Sequence, residues 1–410
     1  MTGDDDNGIT SSVEMTRENP SHLPAPARDH DSHQSRMQAQ DKPEGMRTSP
    51  TRWMASALGV LAIGCGGGAA QASPHPGSPT VTASATAGAS PSSAPPVAAA
   101  LPLGVVVKDF LTGDGGPTYS ISLVDVDGRV VATTTGAKRS VFVQMPNISA
   151  SNSHLYYLDG DSRVMALALD GTTAPATTVP VVANSAAVFS VSPDDTRIAV
   201  ALITFPYPAR TRIYVEDLQG GGHHVELFSS TSVVEWPVGW HQGHIVIAVG
   251  RNAQPQNAYE GFERAEAGYH VADAATGARI AAVCTGYQGS GPPVAAGSVC
   301  TNFPARLVSD WSGVTRPLPG DSGCGGGVLA PDGLLMADCQ GNPRTVTLVA
   351  KDGTTISTAF RATPYGWIDA THVVVQSDTD SSLGILDTTS LRMTQVQAQG
   401  FFGAAIPGSL

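Results

Sequence analysis

The sequence predicts an all-β protein, a seven-bladed β-propeller with six blades as the alternative, that follows a disordered N-terminal region. Three observations lead to this prediction. Charged residues make up only 14% of the 410 residues, whereas glycine (45) and proline (30) are abundant, which suits short strands and tight turns better than helices with charged faces. A strand–turn–strand unit recurs from residue 101 onward, and four late cysteines form two pairs of similar spacing.

The repeated unit is an apolar strand that ends in a turn, usually built on aspartate and glycine, and is followed by another strand. Alternation of apolar and polar residues before each turn is typical of a half-buried strand. An Asp-Gly pair supplies the left-handed conformation of a tight turn. Seven turns recur at a mean period of roughly 43 residues, the length of one propeller blade. They are Asp127-Gly128, Asp170-Gly171, Asp217 to Gly220, Thr276-Gly277, Ser312-Gly313, Asp352-Gly353 and Asp387 to Ser390.

The period divides the folded part of the chain into blades. Blade four is long because of a polar insertion, Asn252 to Gly268, with a helix-prone piece at its centre. Blade five opens with a Gly/Pro-rich stretch that reads equally as a long loop, and this leaves six blades as the alternative. The predicted blades are 102–140, 141–184, 185–230, 231–285, 286–320, 321–360 and 361–400.

Two segments carry a second motif, offset from the first. They are Val191 to Val200 (VSPDDTRIAV) and Leu329 to Ala337 (LAPDGLLMA). Proline at the second position of the turn, with aspartate or glycine at its end, fits a type I turn. The two segments resemble the Ser-Pro-Asp-Gly repeats of TolB-like and WD40-like propellers. The resemblance implies a propeller over residues 101–410 and implies no particular ligand or activity.

The N-terminal part predicts export. After Met46, two arginines precede an apolar run of about a dozen residues, which is the length of a signal h-region and too short to span a bilayer. The run ends in Ala-Ile-Gly at Cys65. This resembles the bacterial lipobox, although Ala62 stands where leucine is usual. The resemblance implies that Cys65 is lipidated and anchors a lipoprotein, of an actinobacterial type, to the cell membrane.

A second cleavage site follows the first. Ala70-Gln71-Ala72 has the A-x-A pattern, and cleavage after Ala72 would give a secreted protein instead. Residues 46–72 are therefore the signal or lipoprotein segment in either case. Residues 73–100 are rich in Ser, Pro and Ala without a Lys, Arg, Asp or Glu, and we expect a disordered linker.

The first 45 residues are polar and show no apolar periodicity. A signal peptide with so long a polar preface is unusual. We interpret residues 1–45 either as a disordered extension or as a mis-annotated start, with translation beginning at Met37 or Met46.

Cys324 and Cys339 flank the second Pro-Asp motif. In a hairpin that turns at Ala330 to Gly333, residues whose numbers sum to 663 face each other, and these two cysteines meet that condition. Strand pairing fixes which residues are opposite, so we predict a disulfide that closes this hairpin.

Cys284 and Cys300 are centred on Pro292, in a Gly/Pro-rich stretch that we interpret as a loop. We predict a second disulfide here. Buried free thiols are the alternative for all four late cysteines, and a four-cysteine zinc site is disfavoured because no Cys-x-x-Cys spacing occurs. Pairing these four leaves Cys65 as the odd cysteine, as expected for a lipidated residue.

No motif predicts a catalytic residue, a metal site or a cofactor. Gly320 to Gly323 (GDSG) matches the nucleophile motif of trypsin-like proteases, but the Gly-Pro that should follow and an upstream Ala-His-Cys are missing. We therefore interpret it as a turn between blades. Possible metal ligands, interpreted as turn and surface residues, are His223, His224, His241, His244, Asp378 and Asp380. Packing between blades, or lining of a binding surface, is expected of Trp236, Trp240, Trp311 and Trp367.

We therefore expect a non-catalytic, exported propeller that binds a protein, a glycan or a small ligand at the cell envelope. The alternative is an enzyme on a propeller scaffold, such as a lyase, a lactonase or a quinoprotein-like enzyme, with acidic or histidine side chains meeting in the central channel. A net charge of −12 gives no electrostatic footprint for nucleic acid. The expected state is a monomer without a cofactor, held at the membrane by Cys65 and meeting an unidentified envelope protein or glycan.

Overall fold

The computed structural model describes residues 101–110, 116–141, 147–252, 265, 267–302, 304–318, 327–341, 343–408 and 410. The regular elements of this part are 28 β-strands in seven four-stranded antiparallel sheets. The predicted all-β, seven-bladed propeller is confirmed, and the six-bladed alternative is wrong. The proposed anchor Cys65 and the linker 73–100 lie outside the described residues. Within those residues no helix is long and apolar enough to cross a membrane.

The strands follow one another in blade order along the chain. Blades one to three contain β1 Leu103–Lys108, β2 Thr118–Val124, β3 Val130–Ala137, β4 Ile148–Ala150, β5 His154–Asp159, β6 Arg163–Ala168, β7 Thr173–Thr178, β8 Ser185–Val191, β9 Arg197–Thr204, β10 Arg210–Asp217 and β11 Val225–Ser230. Blades four and five contain β12 Val233–His241, β13 His244–Arg251, β14 Tyr269–Asp273, β15 Arg279–Val283, β16 Gln288–Val294, β17 Gly297–Asn302, β18 Ala305–Ser309 and β19 Thr315–Pro317. The remaining strands are β20 Val328–Leu329, β21 Leu335–Gln340, β22 Thr345–Ala350, β23 Thr355–Ser357, β24 Ala362–Trp367, β25 His372–Ser377, β26 Leu383–Asp387, β27 Arg392–Gln395 and β28 Phe401–Ile406.

Blade one is closed by a strand from the other end of the chain. Strand β28 pairs with β1 and stands first in the sheet order β28-β1-β2-β3. Leu103 lies opposite Ile406, and Val107 lies opposite Phe401. The predicted blades ended at residue 400 and did not anticipate this closure, because a local repeat carries no information about which distant strand completes the ring.

Apolar side chains fill the space between neighbouring blades. Every residue of β8, the first strand of blade three, is buried, whereas all three residues of the outer strand β23 are exposed. One apolar cluster extends from Val188 in blade three through Val271 in blade four to Cys300 in blade five. The core therefore lies between the sheets and is richest near the first strands, which face the centre of the ring.

All seven predicted turns connect the third and fourth strands of a blade. Their aspartates cap the backbone: Asp170 Oδ1 accepts the Thr172 N–H at 2.9 Å and the Thr172 hydroxyl at 2.7 Å. Asp310 Oδ1 accepts the Ser312 N–H and hydroxyl in the same way, at 3.0 and 2.7 Å. The Thr172 hydrogen bonds hold the pKa of Asp170 below its usual range. The sequence period thus follows from one recurring capped turn.

The hairpin between β20 and β21 has a different register from the one predicted. Val328 lies opposite Ala337, so paired residues sum to 665 rather than 663. The turn continues through Leu334, whose N–H is accepted by Asp332 Oδ1 at 2.9 Å, and Gly333 takes the left-handed conformation with φ of 70°. Cys339 is disulfide-bonded. Its predicted partner, Cys324, lies outside the described residues, so that pairing stays a prediction.

The disulfide between Cys284 and Cys300 is present, with the two Cα atoms 5.2 Å apart. We predicted that this bond closes a loop, but it joins two blades instead. Cys284 directly follows β15 of blade four, and Cys300 lies in β17 of blade five. Pro292, which suggested a loop, belongs to the first strand of blade five. The β16–β17 register shifts between Ser290 and Val294, and this irregularity accommodates residues that have no N–H for the ladder.

Candidate functional site

The first strands of the blades surround a central channel that holds a cavity of about 450 Å³. Neighbouring first strands contact one another, for example β4 with β8 and β20 with β24. All seven blades contribute to the lining, blade six through Pro331 just after its short strand β20. The volume is within the range of pockets that hold small molecules.

The cavity wall is apolar and aromatic. None of the described lining residues has a charged or histidine side chain. The hydroxyl of Tyr365 is already used, since it donates to Gln376 Oε1 at 2.9 Å. The aromatic residues that line the cavity are Phe110, Phe189, Trp236, Tyr269, Tyr365, Trp367, Phe401 and Phe402.

A short sequence repeat, Pro-x-Gly-Trp, shapes two sides of the cavity. It occurs at Pro237 to Trp240 in β12 and at Pro364 to Trp367 in β24. Both strands shift register between the proline and the glycine. The residues at these bulges, Val238 and Tyr365, both line the cavity. Sequence reasoning noted the tryptophans but missed the repeat, although the identical Pro-x-Gly-Trp spacing was a usable signal.

The tryptophans of this repeat also join the blades. The Trp240 indole N–H donates to the Ser190 carbonyl oxygen at 3.2 Å, and the Trp367 indole N–H donates to the Val328 carbonyl oxygen at 2.9 Å. In each case the acceptor belongs to the first strand of the preceding blade. All four tryptophans named from the sequence are at most 4% exposed. The expectation that they pack between blades agrees with this burial, and Trp236 and Trp367 line the cavity as well.

The two ends of the channel differ. At the end where β28 begins, Phe110 and Phe401 meet edge to face with ring centroids 6.2 Å apart, and Phe401 is 44% exposed. We call this end the mouth. At the other end, the residues after β28 run across the channel: Gly408 N–H donates to the Ser151 carbonyl, and Leu410 N–H donates to the Trp240 carbonyl, both at 2.9 Å.

A buried acid–histidine pair lies in blade four, away from the cavity lining. Glu235 is 2% exposed, and its Oε1 is 3.4 Å from His270 Nδ1. Burial raises the pKa of Glu235 to about 7, with Arg279 acting in the opposite direction. Burial, assisted by Arg279, lowers the pKa of His270. Both shifts favour the uncharged forms, as expected where charge is poorly solvated.

Ser153, His154 and Asp195 meet on the surface between blades two and three, but they do not form a catalytic triad. The Ser153 hydroxyl and the Asp195 carboxylate both lie 2.9 Å from the same nitrogen, His154 Nδ1. A triad needs the serine and the acid on opposite nitrogens of the imidazole. The Ser153 hydroxyl also donates directly to Asp195 Oδ2 at 2.6 Å. The cluster therefore holds the turn between β4 and β5 against the turn between β8 and β9.

The histidines proposed as possible ligands do not converge. His223 is paired with Asp217, and His224 lies between Glu216 and Glu226, with nitrogen–oxygen distances of 2.9 to 3.1 Å. His241 Nδ1 is 2.9 Å from the Leu410 carbonyl oxygen. Within the described part of the chain, no group of three or more His, Cys, Asp or Glu residues is arranged to hold a metal ion.

Two further predictions concern loops. Asp380 Oδ1 accepts the N–H and the hydroxyl of Ser382, at 3.1 and 2.7 Å, and so caps its own loop. The GDSG motif at residues 320–323 and most of the insertion Asn252 to Gly268 lie outside the described residues.

No protein-family model and no curated protein matches this chain. Among solved structures, a protein from Lactobacillus plantarum is similar at 14% sequence identity, with a TM-score of 0.42, over 74% of this chain and 98% of that chain. BamB from Moraxella catarrhalis is similar at 14% identity and a TM-score of 0.40, over 69% and 83%. Virginiamycin B lyase from Staphylococcus aureus is similar at 11% identity and a TM-score of 0.37, over 69% and 89%. Similarity of this degree says nothing about what this chain binds or does.

Proposed function

We propose that this protein is an exported, non-catalytic binding module, attached to the cell membrane through Cys65, that holds a small ligand in its central channel. The observation that carries the proposal is the cavity of about 450 Å³, lined by aromatic and aliphatic groups and entered at a mouth with an exposed phenylalanine. An apolar cavity of this size gains free energy by removing apolar ligand surface from water.

The composition of the wall favours binding over catalysis. General acid–base chemistry needs titratable side chains within hydrogen-bond reach of the reacting group. The described lining has no acidic, basic or histidine side chain, and the pair Glu235 and His270 lies outside it. Of the two tyrosines in the lining, Tyr365 already donates its hydroxyl to Gln376. The propeller-scaffold enzyme therefore has no specific observation in its favour.

Filling the cavity tests the proposal. Ala404, in the middle of β28, lines the cavity, and Ala404→Phe should place a ring in the space that a ligand would occupy. Titration with the neutral apolar dye Nile red should give saturable, one-site fluorescence enhancement with the wild-type domain. We expect at least a tenfold weaker affinity for the variant, because the added ring competes for the same volume.

The matched control is Ala174→Phe, at an exposed position on the outer strand β7. It adds the same ring far from the channel and should leave dye affinity unchanged. Equal weakening by both variants, or unaltered binding by Ala404→Phe, would exclude the channel as the binding site.

The anchor is tested separately. In a bacterial host that processes lipoproteins, the wild-type protein should fractionate with membranes and yield an N-terminal peptide that begins at a lipidated Cys65. Cys65→Ala removes the only sulfur available to that modification and should abolish both results. Recovery of a wild-type protein whose N-terminus is Ser73 would show instead that cleavage follows Ala72 and that the protein is secreted.

A further inference from the structure

Two polar side chains at the cavity have no hydrogen-bond partner among the described residues. Asn147 is 6% exposed and Ser190 is 4% exposed, and both line the cavity. Their backbone carbonyls are occupied, by the Leu158 N–H and the Trp240 indole N–H respectively. Neither the carboxamide of Asn147 nor the hydroxyl of Ser190 hydrogen-bonds to any described residue, so both groups can bond to a molecule in the cavity.

The two side chains belong to neighbouring blades. Asn147 directly precedes β4, the first strand of blade two, and Ser190 lies in β8, the first strand of blade three. The two strands are held side by side, because the Ser149 hydroxyl accepts the Val191 N–H at 2.9 Å. Asn147 and Ser190 therefore lie at adjacent first strands of a wall that is mostly apolar. We call these two residues the polar spot.

We infer that the channel selects an uncharged ligand with an apolar body and a neutral head group that both donates and accepts hydrogen bonds, such as a primary carboxamide. This inference rests on the proposed function and adds the ligand class to it. A carboxamide side chain has an N–H donor and a C=O acceptor next to each other, and a hydroxyl can play either role. A ligand with the same two functions in its head group satisfies the polar spot, while its tail contacts the aromatic wall.

Charged head groups are selected against. A carboxylate or an ammonium ion that enters a low-dielectric cavity loses its hydration, and it needs an opposite charge to compensate. No side chain with such a charge occurs among the described lining residues. The polar spot offers only neutral dipoles, which compensate a full charge poorly.

Displacement of Nile red by four octyl compounds of similar size tests the inference: octanamide, octanoate, octylammonium and octyl methyl ether. We expect octanamide to bind about tenfold more tightly than the ether, which only accepts hydrogen bonds, and much more tightly than either ion at pH 7.5. Asn147→Leu keeps the volume and removes the carboxamide. It should abolish the preference for octanamide over the ether.

Ser190→Ala should lower the octanamide preference by a smaller factor, and Ser309→Ala, a buried serine that does not line the cavity, serves as its control. Circular dichroism of each variant establishes that it is folded. If octanamide and the ether bind equally, or if Asn147→Leu leaves the preference intact, the polar spot does not select the ligand, although the channel would still be a binding site. If no compound displaces the dye and Ala404→Phe does not weaken dye binding, the proposed function itself fails.

Discussion

Glu235 illustrates how strongly one position can depart from the pattern around it. It is 2% exposed, in a strand whose neighbours Val234 and Trp236 are equally buried. The imidazole of His270 lies beside its carboxyl group. Burial raises the pKa of Glu235 and lowers the pKa of His270. The folded protein loses stability when the pH is high enough to ionise this acid, because the buried carboxylate is poorly solvated.

The sign of this effect follows from proton linkage. Because the pKa of Glu235 is raised from 4.5 to about 7, the folded protein keeps a proton that the unfolded chain releases. Its contribution to stability is fully present below about pH 4.5 and is lost as the pH rises through 7. The loss is about 3 kcal/mol at most. The lowered pKa of His270 has the opposite effect, because it reduces stability as the pH falls below the unfolded value of about 6.5. Since His270 is present in both the wild type and a Glu235 variant, comparing the two isolates the effect of the acid.

Glu235→Gln should therefore gain stability relative to wild type between pH 5 and pH 8, by up to about 3 kcal/mol, measured by urea unfolding at both pH values. Glu226→Gln is the control with the opposite sign. Hydrogen bonds from Arg212 and His224 lower the pKa of Glu226 from 4.5, so the stability that its carboxylate contributes is present above that pH and is lost as the pH falls. Its variant should therefore lose stability relative to wild type as the pH rises from about 3 to about 5, below the window used for Glu235. A Glu235 variant whose advantage does not grow with pH would contradict the buried-acid assignment.

At the scale of strands and turns, the sequence predicted what depends on neighbouring residues. The capped turn at Asp170 is local, because its side chain accepts a backbone N–H two residues away. The same kind of contact, two or three residues along the chain, occurs in the turns that contain Asp273, Asp310, Asp352 and Asp387. Their spacing therefore revealed the number of blades. The alternation of the intervening strands is also a local property, which is why the predicted range 185–230 contains β8 to β11 in full.

Features that depend on distant or atypical contacts were predicted less well. The predicted register of the hairpin at Gly333 was wrong, because the numbers of paired residues sum to 665 rather than 663. The left-handed Gly333 lengthens the turn without any change in composition. The prolines of β16 suggested a loop because proline is rare in inner strands. The bond between Cys284 and Cys300 was predicted, and the predicted blade boundary at 285 lies between the two cysteines. The Gly/Pro-rich residues between them were nevertheless interpreted as a loop, so its role in joining two blades was missed.

The candidate site was predicted only in outline. A central channel follows from any propeller, and the tryptophans near it were named in advance. The polar spot at Asn147 and Ser190 has no sequence signature, because an isolated asparagine or serine in a β-rich chain is ordinary. Its significance comes from the position of both residues on the cavity wall, which only a three-dimensional arrangement reveals.

At the scale of the whole molecule, the ring depends on one pairing between its two ends. Strand β28 covers the edge of β1, whose residues Leu103, Val105 and Val107 are at most 4% exposed. Without β28, this edge would present unpaired backbone groups and apolar side chains to water. The same strand carries Phe401 and Ala404 of the channel wall, so closure of the ring and completion of the site are one event.

A pair of truncations tests this dependence. A chain that ends at residue 400 lacks β28 and should lose its cooperative thermal transition and aggregate, as followed by calorimetry and gel filtration. A chain that ends at Ile406 keeps β28 and removes only the residues that cross the far end of the channel. It should retain a cooperative transition. Comparable stability of the two truncated chains would show that β28 is not needed to close the ring.

The position of β28 also fixes the order in which the protein can be completed during synthesis. Its pairing partner β1 is made first among the strands, yet it must wait until residue 406 has been added. At typical rates of about 5–20 residues per second, the roughly 300 residues from β1 to Ile406 take about 15 to 60 s to add. Throughout that interval the nascent chain has neither a closed ring nor a complete channel, so the apolar edge of β1 stays uncovered until the last strand is made.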